Sequence, residues 1–150
     1  MPFGHQILKP GAFVSFTYNA PRKPKPGEII NVNKEIMVLN PNWQNQVHGI
    51  DLKRLTPAQV DVLRLIMDPE TKNDPSKMNK YPLVADVMRR MEPTQMITNP
   101  VAFYSMFVKP FLRGVDAYRK YWPDYMYNLK VIEQSKVEGI VTNPKPLFRK

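Results

Sequence analysis

From residue 11 the chain alternates between apolar and polar positions. In "GAFVSFTYNA", Val14, Phe16 and Tyr18 fall on one face and Ser15, Thr17 and Asn19 on the other. A period of two over this length predicts a half-buried β-strand. "PRKPKPG" interrupts the pattern with three prolines and a glycine, so Arg22, Lys23 and Lys25 belong to a stiff loop outside the sheet. "EIINVN" and "KEIMVLNP" follow as two more apolar runs, with a tight turn expected at Asn33-Lys34. "NPNWQNQ" reads as a turn and "VHGIDLKRL" as a fourth strand. Short strands joined by short loops predict a small antiparallel β-barrel over residues 11–55.

At residue 55 the period changes from two to that of a helix. Thr56 stands at an N-cap position, Pro57 at the first helical position and Gln59 at the third, which is a capping-box pattern. Leu55 and Val60 have the spacing of a hydrophobic staple. The helix should run to about Met67, because Pro69 disfavours a helical Asp68. "TKNDPSKMNK" is expected as an exposed connector. Val84, Val87, Met88 and Met91 then mark the apolar face of a second helix. A third should start at Asn99-Pro100, with Tyr104, Phe107, Val108, Phe111, Leu112, Val115 and Tyr118 as its stripe and a kink or break at Pro110. "YNLKVIE" predicts a strand returning to the sheet.

The expected organisation is therefore α+β. An arm (1–10) leads into the barrel (11–55) and a helical subdomain (56–127), followed by a returning strand (128–138) and an extended tail (139–150). Sixteen prolines against six glycines fit short elements and stiff connections. The chain has no cysteine, which excludes disulfides and thiolate metal sites. No run reaches the roughly 18 apolar residues of a membrane span, and the N-terminus lacks the pattern of a secretory signal. A soluble intracellular product is the expectation.

The net charge of +9 is unevenly placed. Residues 1–25 hold four basic side chains and no acid; residues 139–150 hold three and no acid; the segment between is nearly balanced. Positive charge at the periphery suits an anionic partner, either nucleic acid or an acidic protein surface. The candidate contacts are Arg22, Lys23, Lys25, Lys145, Arg149 and Lys150. Arg89, Arg90, Arg113, Arg119 and Lys120 are expected on the solvated faces of helices.

Catalytic signals are weak. His48 shares a strand row with Ile50 and Leu52, whereas Asp51 faces the other way, so a core or core-edge position is expected, with the ring nitrogens satisfied by backbone groups or water. No nucleophile or orienting carboxylate is supplied nearby. A two-histidine metal site with His5 would need the arm to fold back, and no third ligand stands at suitable spacing. Phosphate-binding glycine motifs are missing and the acids are scattered. No catalytic residue, metal, cofactor or small-molecule substrate is expected, and no membrane contact.

"AYRKYWPDYMY" packs five rings into eleven residues, more than the end of one helix needs. Rings beside arginine are favoured at protein interfaces. Tyr118, Arg119, Tyr121, Trp122, Tyr125 and Tyr127 are therefore interface candidates, with Phe3 and Lys9 of the arm and Leu147 and Phe148 of the tail.

Together, "FTYNA" before a basic proline loop, "IMVLNP", "VHGIDLKRLT", "AYRKY" and "NLKVIE" resemble small proteins of tailed bacteriophages, over roughly residues 11–133. The resemblance implies an SH3-like barrel with appended helices, in a product that is part of the virion or associated with DNA. "GEIINVNKE" departs from that family's tyrosine- and aspartate-rich turn, and no catalytic residues carry over. The expected function is a non-enzymatic virion component that contacts other subunits of a large assembly. A basic DNA-associated protein and a regulator binding a host protein are the alternatives.

Overall fold

Alternation over residues 12–18 yields strand β1, Ala12–Tyr18. It pairs antiparallel with β2, Asn33–Trp43, which in turn pairs with β3, Gln46–Asp51. The computed structural model describes residues 8–19, 26–27, 32–91 and 94–134. Most of "EIINVN", the basic loop 21–25 and the tail 139–150 lie outside the described residues. Asn33 and Lys34, expected at a turn, instead open β2 opposite Thr17 and Phe16. The hairpin turn falls at Gln44 and Asn45, inside the expected turn "NPNWQNQ", with φ values of 54° and 65°, those of a two-residue hairpin. Asparagine tolerates this left-handed conformation, which matches the twist of the flanking strands.

Helices follow in the predicted order. Thr56 Oγ1 accepts from Gln59 N, and Gln59 Oε1 accepts from Thr56 N, so the capping box is complete. Helix α1, Pro57–Met67, ends where Asp68 turns extended before Pro69. The next segment, expected as a connector, is helical: a 3₁₀ turn at Pro69–Asn73 and α2, Pro75–Lys80. Each follows an Asp-Pro pair whose aspartate accepts from backbone N–H groups of the first turn. Capping thus overrides a polar, proline-bearing composition.

Helix α3, Pro82–Arg90, buries Val84, Ala85, Val87 and Met88. Short α4, Gln95–Thr98, and α5, Pro100–Phe103, come next; Asn99 caps α5 through Ala102 N. The chain then widens into a π turn at Tyr104–Val108 and tightens into a 3₁₀ turn at Lys109–Phe111. Pro110 explains this break: its ring would collide with the carbonyl of Met106 in a regular helix.

Arg113 (φ 50°) and Gly114 (φ 87°) reverse the chain in left-handed conformation. Tyr118–Tyr121, expected on the helix, is strand β4 and pairs with β3. Arg119 and Lys120 accordingly lie on a strand. The aromatic and β-compatible composition wins once the helix has been stopped upstream. A 3₁₀ turn at Pro123–Tyr125 leads to β5, Met126–Gln134, which returns to pair with β1 as expected.

The five-stranded antiparallel sheet has the order β4-β3-β2-β1-β5. In a flat sheet β4 and β1 would stand about 14 Å apart. Yet the Tyr121 ring of β4 lies 5.0 Å from both Phe16 and Tyr18 of β1, and Trp122 N donates to Tyr18 Oη at 3.0 Å. The sheet is therefore strongly curled. No ladder joins β4 to β5 among the described residues, so it stays open along that seam.

Curling creates two cores on the two faces of one sheet. Phe13, Met37, Leu39 and Ile50 point toward the helices and pack with Leu63, Met88, Phe103 and Phe107. Val14, Phe16, Ile36, Val38, Val47, Tyr121 and Met126 fill the inside of the curl. Leu8, next to the expected arm's end, is buried in this second core, so residues 8–10 are seated on the sheet.

Gly49 is a point of close approach. A Cβ there would lie 2.8 Å from Ile36 Cδ1 and 2.9 Å from the Met37 carbonyl oxygen. The Ile36 tip can rotate away; the backbone oxygen cannot. The β2–β3 register also shifts beside it, between Val38↔Gly49 and Asn40↔His48. Gly49→Ala is expected to destabilise the fold by about 1–3 kcal/mol, read as a lower urea midpoint. An unchanged midpoint would show that the sheet yields here.

Candidate functional site

His48 is 1 % exposed and lies on the helix-facing side of β3. Its Nε2 is 2.8 Å from the carbonyl oxygen of Trp43. A carbonyl only accepts, so Nε2 carries the proton, and Nδ1 accepts from the Tyr118 hydroxyl. Burial pushes the Tyr118 phenol up to about 12, which keeps it a donor. The Trp43 and Tyr118 rings both meet the imidazole edge-on, at 5.4 and 5.6 Å.

Tyr118 also packs edge-on against Tyr104, whose hydroxyl accepts from Ala117 N at 3.1 Å. The cluster ties the end of the β2–β3 hairpin to the point where the chain leaves the helices and enters β4. Asp51 is occupied elsewhere: its carboxylate accepts from Lys53 N. With both nitrogens bonded and no access from solvent, His48 acts as a structural bridge. The expected backbone partner is present, and a tyrosine hydroxyl takes the role assigned to water.

Asn40 is a second buried polar anchor, unsuspected from sequence. Its Nδ2 donates to the carbonyls of Ile97 (2.8 Å) and Met96 (3.3 Å), and its Oδ1 accepts from Asn42 N. It fastens β2 to α4 beside the register shift. The signal was the Asn-Pro-Asn sequence, an asparagine placed to bond the backbone two residues on, which also suits a loop.

The surface candidate is the turn between β4 and β5. Tyr121, grouped with the interface rings on sequence, is buried between Phe16 and Tyr18. Tyr118 is half-buried on His48. Tyr125 is half-buried beside Tyr18, with ring centroids 6.3 Å apart, and Asn19 N donates to its carbonyl at 2.9 Å. Trp122 and Tyr127 remain outside at 48 % and 42 % exposure, followed along β5 by exposed Val131 and Ile132.

Lys120 and Lys130 are exposed on the flanking strands, whereas Arg119 is drawn back to the Tyr118 carbonyl (2.7 Å) and toward Asp116 (3.8 Å). The structure thus divides the aromatic run into three packing rings, Tyr118, Tyr121 and Tyr125, and two exposed ones, Trp122 and Tyr127. Lys9 is half-buried, its carbonyl accepting from Ala12 N. Phe3, Arg22, Lys23, Lys25, Lys145, Leu147, Phe148, Arg149 and Lys150 lie outside the described residues.

Among the described residues no group of three or more metal-ligating side chains is assembled, and no helix is long and apolar enough to cross a membrane. No family model, curated protein or solved structure matches this chain.

Burial, the largest influence, and the nearby Lys120 ammonium hold the His48 imidazole below its ordinary pKa, against the opposing bond to Trp43. The unfolded chain therefore takes up a proton near its usual value of about 6.5 before the folded chain does. This contribution to stability is intact above that pH and is lost as the pH falls below it. The urea midpoint of the wild type should decline between about pH 7 and 5.5. His48→Gln should start from a lower midpoint and show a flatter profile. Equal slopes would mean that other groups govern the window.

Proposed function

We propose that the protein is a non-enzymatic structural component of a tailed-phage virion, built on an SH3-like barrel and holding neighbouring subunits through its aromatic turn. The observation that carries the reading is the exposure of Trp122 and Tyr127 at the two ends of a turn whose neighbouring rings, Tyr121 and Tyr125, pack against Tyr18 of the sheet. Large rings held on a rigid base lose little conformational freedom on binding, which suits them as interface anchors. The strand order β4-β3-β2-β1-β5, with a 3₁₀ turn between β4 and β5, supports the barrel architecture despite the open seam. The phage attribution rests on the segments that resemble such proteins, which fall on β1, β2, β3, β4 and β5.

A second reading, nucleic-acid binding, is favoured by the exposed Lys120 and Lys130, close in sequence to the exposed Trp122 and Tyr127, since cations among exposed rings can hold phosphates while bases stack. It requires retention on DNA or RNA that weakens steeply with salt.

Mass spectrometry of purified particles should find the chain in stoichiometric amounts; its absence would remove the virion reading. Trp122→Ala and Tyr127→Ala together should abolish co-purification with neighbouring subunits while leaving the unfolding free energy from urea titration within about 0.5 kcal/mol of wild type, as expected for surface changes. Retained association would move the interface elsewhere.

A further inference from the structure

Away from the aromatic turn, the helical layer carries an open groove of about 550 Å³. It lies where the first turns of α1 and α3 meet the 3₁₀ turn that contains Pro110. Val62, Leu83, Val84, Pro110 and Phe111 give it an apolar lining, and Leu83 is 71 % exposed, the most exposed of the large apolar side chains described. Lys80 and Arg113 also line it, and among the described residues no acidic one does. Neither cation forms an ion pair among the described residues; Lys80 rests over the Tyr81 ring, 5.5 Å from its centre. Helix α3 starts at Pro82 behind Tyr81, whose side chain caps no N–H, so the N–H groups of Leu83 and Val84 in its first turn add to the positive potential.

We infer that this groove docks an acidic, apolar peptide segment of a partner protein, with one or two large apolar side chains against Leu83 and Phe111 and a carboxylate between Lys80 and Arg113. The choice of occupant follows from charge. The protein's own tail, residues 139–150, has three basic side chains and no acid, so the rim would repel it. A purely apolar ligand would leave two cations beside a dry contact without compensation. A segment joining apolar groups to carboxylates satisfies both parts of the lining. The volume falls within the range of about 300–1,000 Å³ common for pockets that bind compact ligands. The inference is independent of the aromatic turn, which shares no residue with the groove.

Selection of a random peptide library on the full chain tests it. Enriched sequences should combine Leu, Phe or Trp with Asp or Glu. Fluorescence anisotropy with the best peptide should show binding weakened about fivefold or more by Leu83→Ser and by Arg113→Gln separately, effects of the size seen at energetic anchors. Arg89→Gln, an exposed change outside the groove, should leave the affinity unchanged. Both groove positions are exposed, and circular dichroism would verify that the variants fold.

Enrichment of peptides without acids would overturn the proposal, as would no enrichment at all. Equal weakening by Arg89→Gln, or indifference to Leu83→Ser, would reduce the binding to general charge attraction and overturn it too. Concentration-dependent self-association abolished by Arg113→Gln would assign the groove to a second copy of the chain instead.

Discussion

The structure depends on four consecutive apolar residues in the middle of β2. Ile36, Met37, Val38 and Leu39 are all fully buried, with Ile36 and Val38 in one core and Met37 and Leu39 in the other. A strand usually spends one face on solvent; this one has none to spare. Each such side chain contributes about 1.5–3 kcal/mol by burial, and truncating one leaves a cavity that its neighbours fill only in part. Because the same backbone serves both cores, a slip of one residue would exchange the two sets of side chains. Register is therefore the constraint under which the remaining elements operate.

Several local features serve that constraint. The left-handed pair Gln44 and Asn45 fixes the hairpin. Gly49 lets β2 and β3 approach where any Cβ would strike the Met37 carbonyl. His48 and Asn40, paired across the register shift, are both buried and both bonded to partners distant in sequence, Tyr118 in one case and the α4 carbonyls in the other. Buried polar groups with fully specified partners penalise alternative registers more than apolar ones do, because a misplaced donor or acceptor loses its bond without regaining water. The histidine that stood out in the sequence thus contributes to specifying the fold.

Features encoded by local chemistry were readable from sequence. The α1 capping box, its end before Asp68-Pro69, the apolar face of α3 and the strand character of β5 all depend on residues a few positions apart. Features that depend on distant competition were not. Asp68 and Asp74 turned a polar connector into helical turns by capping, which composition concealed. The stripe from Tyr104 to Tyr118 has helical spacing throughout, but Pro110 and the Arg113-Gly114 reversal stop the helix. Tyr118 then meets His48 from a strand. Of the candidate surface, the dense aromatic run was visible in sequence, but its division into buried and exposed rings was not. That division arises because the curl brings Tyr121 against Phe16 and Tyr18, residues of a strand three positions away in the sheet.

Two cores also mean two surfaces with separate foundations. The aromatic turn stands on the inside of the curl, through Tyr121 and Met126. The apolar groove stands on the helix-facing core, through Val62, Val84 and Phe111. Energetic coupling between sites needs a shared element with two arrangements, and here the shared element is the doubly buried sheet, whose register leaves it little freedom to shift. The surfaces should therefore behave additively, as distant sites with no common partner do. Under the two proposals, each surface would bind its neighbour without altering affinity at the other, as a fixed connector requires and a switch does not.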